Sequence, residues 1–243
     1  MNNPSPLIGA PLAPTMFKLA VPGVIGAVLT TMPGLLEATF LKESGTGALA
    51  AVALVYPLVI LSGMFSAGAF GGAISGFIAR AIGAGNDDEA SAVLVCAVII
   101  SLAGGFLMWI LVVLLGPFLY QYASDSPTIT NAAHYYATLL FPAIPAYWLV
   151  NMLSSVLRGS GDMIRPAIVA AILLATYILC ALLLIPTQGA TINEALKAAA
   201  IAMASAYLLA SALVTYFIAH KSQPVRFRIA AFRPALLTKI LRQ

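Results

Sequence analysis

MFKLAVPGVIGAVLTTMPGLLEATFL, Met16–Leu41, carries one lysine near its start and one glutamate near its end. Everything between is apolar, small or hydroxyl-bearing. A bilayer crossing takes about 20 residues as a helix, so the stretch is long enough to span. Similar runs occupy approximately Ala48–Ala79, Ala90–Leu119, Ile129–Leu157, Met163–Ile185 and Glu194–Ala219. The chain has 243 residues, of which 61% are hydrophobic and 8% charged, whereas a soluble domain carries about a quarter charged. Backbone groups in lipid must be bonded internally, which leaves helices or closed barrels. The period-two alternation of barrel strands is missing. The sequence therefore predicts an all-α membrane protein, a bundle of six transmembrane helices.

Orientation follows from where Lys and Arg fall. With the N-terminus in the cytoplasm, Lys18, Arg80, Arg158, Arg165, Lys221, Arg226, Arg228, Arg233, Lys239 and Arg242 lie on the cytoplasmic side. Lys42 and Lys197 alone face outward. Both termini are expected in the cytoplasm, with the chain multi-pass in a cell (inner) membrane. The leader MNNPSPLIGAPLAPT has no positive charge and is followed by too long an apolar run for a cleaved signal. The net charge of +4 reports this topology and is no argument for nucleic acid. Cys96 and Cys180 fall inside apolar runs and read as inert buried thiols.

The connections are short. KESGT (Lys42–Thr46), QYASDSPT (Gln121–Thr128) and PTQGATIN (Pro186–Asn193) are expected outside, and RAIGAGNDDEA (Arg80–Ala90) and RGSGDMIRP (Arg158–Pro166) inside. After residue 220 the composition turns basic with apolar residues interleaved. Residues 1–220 thus form the six-helix unit, and 221–243 a basic amphipathic linker. Its closing PALLTKIL echoes PTMFKLAV at Pro14–Val21, as the start of a second repeat would.

The second run, about 32 residues or ~48 Å as a straight helix, exceeds the ~30 Å hydrocarbon core and must tilt, break or project. Gly68, Gly72 and Gly76 recur every fourth residue within it, with Ala67, Gly71, Ser75 and Ala79 alongside. Such spacing predicts close helix packing; a break at Gly71–Gly72 is the alternative. Pro22, Pro33, Pro57, Pro117, Pro142, Pro145, Pro166 and Pro186 fall within or at the ends of runs, where each interior proline removes a backbone donor and favours a kink.

Glu37 is the one acid well inside a run. A charge at the bilayer centre costs roughly 2.5–3.5 kcal/mol on insertion scales. Glu37 lies about four residues, roughly 6 Å, from the outer end of its run. One reading sends it to the interface or pairs it with Lys42. The other places it in a cavity between helices, where a carboxyl can exchange a proton or coordinate a cation. Tyr56, Tyr147, Asn151 and Tyr177 are candidates for the wall of such a cavity. His134 is expected at the surface.

LRGSGDMIRP (Leu157–Pro166) resembles the turn between the fourth and fifth helices of the multidrug and toxic compound extrusion (MATE) transporters, matching at Arg158, Gly159, Gly161, Asp162 and Pro166. GTGALAAVAL (Gly45–Leu54) is similar to the opening of that family's second helix. ARAIGAGNDDEA (Ala79–Ala90), with Gly83 and Gly85, is similar to its loop between helices two and three. The resemblance implies one lobe of a two-lobe (6+6) antiporter that expels organic, cationic or amphipathic compounds in exchange for H⁺ or Na⁺. Glu37 falls where many members have an aspartate, which makes it the cation-coupling residue. Where many members carry an Asn and, four residues on, an Asp in the fifth helix, Tyr177 and Ala181 stand here, so Glu37 is expected to act alone. Arg158, Gly159, Gly161 and Asp162 are expected to serve structure and topology.

The expected partners are small organic substrates, the lipid bilayer and a second six-helix lobe, supplied by continuation, a separate chain or a second copy. No cofactor beyond the coupling ion and no metal is expected. Two histidines far apart and the lack of HExxH or GxSxG patterns argue against an enzyme. A non-transporting membrane scaffold, or a degenerate truncated transporter, is the alternative.

Overall fold

A computed structural model describes residues 12–185, 191–219 and 234–241. Each apolar run forms one long helix: α1 (Leu12–Leu41), α2 (Thr46–Gly83), α3 (Asp87–Ala123), α4 (Pro127–Gly159), α5 (Ile164–Leu184) and α6 (Ile192–Ala219). A short α7 (Pro234–Leu241) follows. No strand occurs among the described residues. The leader up to residue 11, the segment 186–190 with Pro186, and most of the basic linker, 220–233, lie outside the described residues.

Caps set the helix ends that hydropathy leaves open. Asn86 Oδ1 accepts from the Glu89 amide at 3.1 Å, and its Nδ2 donates to Glu89 Oε2 at 3.0 Å. Thr191 and Glu194 form a reciprocal capping box at the start of α6: Glu194 N donates to Thr191 Oγ1 at 3.3 Å and Thr191 N to Glu194 Oε2 at 2.9 Å. Asp162 Oδ1 accepts from the Ile164 and Arg165 amides at 3.1 and 3.0 Å. These bonds satisfy donors that a helix start leaves orphaned.

The bundle is organised around α4. Its most apolar stretch is 78% buried, against 6% for α1, which packs along α5 at the edge. Close approach to α4 is made possible by glycines. A Cβ on Gly71 of α2 would lie 2.7 Å from Ser155 Oγ, and one on Gly159 would lie 2.6 Å from the Ser75 carbonyl oxygen. On α3, Gly104 makes room for the Trp148 ring, and Gly105 faces the Pro145 backbone. Lipid tails supply no hydrophobic drive between helices, so this shape matching carries the association. On α6, Ala195, Ala199, Ala202, Ala206 and Ala210 are fully buried and repeat every third or fourth residue, the same device in another pair.

The glycine expectation for α2 needs correction. A Cβ on Gly68, Gly72 or Gly76 meets nothing within 4 Å, so that row is not a packing seam within this bundle. Gly71, on the neighbouring row, carries the contact. The break also sits elsewhere: Gly71 and Gly72 are regular helix, and Met64–Ala69 forms a π-helical turn just before them. The wide turn brings Ser62 and Ser66 opposite α4. Trp148 Nε1 donates to Ser62 Oγ at 2.7 Å, Asn151 Nδ2 donates to Ser66 Oγ at 2.8 Å, and Ser66 Oγ donates to the Ser62 carbonyl at 2.9 Å. Near the chain's end, α7 buries Leu236 and Ile240 against α2 and α3.

Candidate functional site

On α1, Thr30, Pro33, Gly34 and Glu37 fall three or four residues apart, which places them on one helical face. All four line a cavity of about 410 Å³ between α1, α2, α4 and α6. Gly34 belongs to this face for a steric reason: any Cβ there would overlap the Tyr56 hydroxyl. Gly63 likewise clears the Tyr147 hydroxyl, 2.7 Å from where its Cβ would stand.

Glu37 is 2% exposed. Tyr136 of α4, itself buried, donates its hydroxyl to Glu37 Oε1. No basic side chain among the described residues lies within ion-pair distance of Glu37. Lys42 instead faces Glu43 at 3.7 Å, and both are exposed. The interface reading of Glu37 is therefore not the arrangement found.

Tyr56, Tyr147 and Asn151 line the same cavity as Glu37. Tyr147 stacks at a tilt on Tyr207 of α6, with ring centroids 4.7 Å apart, and Tyr207 also faces the cavity. Tyr177 does not line it, a correction to the expectation. Leu173, one turn earlier on α5, reaches the cavity wall, whereas Tyr177 is fully buried with Phe40 of α1 edge-on against it at 6.1 Å. Ala181 is buried too and offers no acid. Among the described residues, no group of three His, Cys, Asp or Glu side chains gathers in a way that could hold a metal ion.

Tyr136 is the residue that sequence reasoning missed. Its signal was a buried stripe: Ala133, Tyr136, Ala137 and Leu140 recur at helical spacing and all face inward, while His134 next to them is exposed.

The motif residues divide by role. Gly85 and Gly161 adopt φ of 69° and 86°, in the left-handed region that glycine enters freely. Gly83 is ordinary helix with open space around it and has no such requirement. Gly159 serves close approach to α2 rather than the turn itself. Asp162 holds the first amides of α5 and pairs with Arg165 at 3.1 Å. Pro166 sits in the first turn of that helix, where its missing N–H costs nothing. Arg158 Nη2 donates to Ser155 Oγ at 2.7 Å, and Ser155 Oγ donates in turn to the Asn151 carbonyl at 2.8 Å.

The MatE family model matches residues 22–183. The chain belongs to the MatE family. A MATE protein crystallised in the bent conformation superposes with a TM-score of 0.85 at 26% identity, covering 94% of this chain and 50% of that one. A MOP superfamily transporter from Pyrococcus furiosus gives 0.82 at 26% identity, again over 94% of this chain and 50% of its own. A curated relative from Shewanella oneidensis, named as an FAD transporter, is 24% identical over 216 residues, which is 87% of this chain and 47% of the relative. The chain thus spans about half the length of the relatives it matches. MatE proteins are membrane transporters, and the class is a transporter rather than an enzyme.

Proposed function

We propose that this chain is the amino-terminal six-helix half of an efflux antiporter, working with a second six-helix lobe to export organic compounds, cationic or amphipathic, in exchange for protons. Its setting in this reading is the cell's inner membrane with both ends cytoplasmic, in keeping with the distribution of Lys and Arg. The observation that carries the reading is Glu37: one carboxyl, buried in a cavity, bonded by a tyrosine hydroxyl and, among the described residues, unopposed by any cation. An intramembrane acid in such a place is a functional site by default, because a purely structural role does not offset its insertion cost.

The proton is favoured over Na⁺ by the surrounding oxygens. Hard cations gather about six oxygen ligands or more; around Glu37 stand phenolic hydroxyls, with no second acid. The aromatic wall of Tyr56, Tyr147 and Tyr207 suits flat or cationic organic substrates. The relative named for FAD makes that molecule worth including in the substrate panel.

The test is transport in vesicles containing this chain with its partner lobe, under a pH gradient and under a Na⁺ gradient, with a cationic dye and FAD as substrates. Glu37→Gln is expected to reduce pH-driven efflux to background while the protein remains inserted. Undiminished pH-driven efflux in that variant, or efflux driven by Na⁺ alone, would remove Glu37 as the proton site.

A further inference from the structure

A second cavity, about 300 Å³, lies beside the first between α1, α4 and α5. Pro22 and Gly26 of α1, Asn151, Ser154 and Arg158 of α4, and Pro166 of α5 contribute to its wall. Along α1, Gly26 is 11 residues from Glu37, about 16 Å at 1.5 Å per residue. The two spaces share Thr30, Ala67, Val150 and Asn151 but differ in their charged group. One holds an acid, the other a base.

Arg158 is unusual among the described basic residues. It is half-buried and has no ion pair: every Asp and Glu of the sequence lies among the described residues, and none is within ion-pair distance of it. Asp162, the nearest acid in sequence, is committed to Arg165 and to two backbone amides. Arg80 covers the Phe77 ring, and Lys42 has Glu43. A guanidinium presents five N–H donors and does not deprotonate in proteins; among the described residues this one is engaged through Ser155 Oγ alone. Ser154, one residue away and also on the cavity wall, has a hydroxyl with no partner among the described residues. A charge held out of bulk water with most of its donors unused costs free energy unless an anion or water completes its shell.

We propose that this cavity is an anion site for a phosphate group, gripped by the Arg158 fork and the Ser154 hydroxyl. The planar fork matches phosphate oxygens in pairs. The volume admits a phosphate with part of the molecule that bears it. Arg158 stands one residue before the end of α4, next to the turn at 160–163, and the ends of spanning helices are where headgroups are met. The phosphate can therefore come from a lipid headgroup or from a soluble phosphate ester. The proposal stands on Arg158 and its cavity, independently of proton coupling at Glu37.

Thermal unfolding of the full chain separates these sources. In detergent micelles, inorganic phosphate is compared with chloride at equal ionic strength. In nanodiscs, phosphatidylcholine alone is compared with phosphatidylcholine plus phosphatidic acid. Wild type is expected to show a rise in Tm with at least one of the two probes: inorganic phosphate points to a soluble ligand, phosphatidic acid to a lipid. Arg158→Gln is expected to lose that rise, and Glu37→Gln to keep it. Arg158→Lys keeps the charge and loses the fork, so it is expected to bind the effective probe about tenfold more weakly. Equal shifts in wild type and Arg158→Gln, or no shift with either probe, overturn the proposal. Should Arg158→Gln fail to insert, an Arg158→Lys affinity equal to wild type overturns it as well.

Discussion

Among the described residues, Glu37 and Arg158 are the charged side chains that line the two cavities, and each is held by one hydroxyl. Tyr136 donates to Glu37; Ser155 accepts from Arg158. The likeness ends there. Glu37 is buried, 2% exposed, on the wall of its cavity, and its partner comes from a different helix 99 residues away in sequence. Arg158 is half-buried near a helix end, and its partner is three residues back on the same helix. The acid depends on tertiary packing, whereas the base depends on little more than its own helical turn. Charge alone does not define a site; what surrounds the charge decides whether it is closed or still able to take a ligand.

Removing each hydroxyl sharpens this contrast. Tyr136→Phe leaves a buried carboxyl with no donor among the described residues and is expected to cost roughly 1–3 kcal/mol, with a clear loss of pH-driven efflux in the two-lobe vesicle assay. Next in size is Gly71→Ala, which would drive a methyl against Ser155 Oγ and the Ser66 carbonyl, 2.7 and 2.9 Å away. Overpacking of this kind is expected to cost about 1–3 kcal/mol, seen as a lower unfolding temperature in micelles. Ser155→Ala removes two bonds that both stay within α4, from Arg158 and to the Asn151 carbonyl, and about 0.5–1.5 kcal/mol is expected. Gly72→Ala, one residue from Gly71 but facing open space, is expected to stay within about 0.5 kcal/mol. A Ser155→Ala loss as large as that of Tyr136→Phe would break the distinction between the two sites. Equal losses for Gly71→Ala and Gly72→Ala would break the assignment of the packing row.

The membrane fold was legible because hydropathy and length are whole-segment signals, and every apolar run became one helix. Glu37 was legible because a lone acid in such a run is conspicuous whatever its neighbours. What surrounds it was less so. Tyr56, Tyr147 and Asn151 converge on the cavity, but Tyr177 is turned under Phe40, a matter of helix rotation that no local pattern records. Tyr136 was hidden by its place near the start of its run, beside exposed His134 and Tyr135. Only the inward row it shares with Ala133, Ala137 and Leu140 marks it. The row Gly68, Gly72 and Gly76 misled for a related reason. Small-residue spacing indicates that a helix can be approached closely, without saying which row is used.

The π turn at Met64–Ala69 has a mechanical consequence. A π turn holds about one residue more than an α turn, so α2 stores a spare residue between the half that borders Tyr56 and the half that ends at the turn containing Gly85. Were that residue drawn back into regular helix, the lower half would rotate by about 100° and advance by ~1.5 Å. Such a screw motion would carry Gly71 away from Ser155 and part Ser66 from Asn151. A rod with a slack thread in its middle can twist at one end while its other end stays clamped.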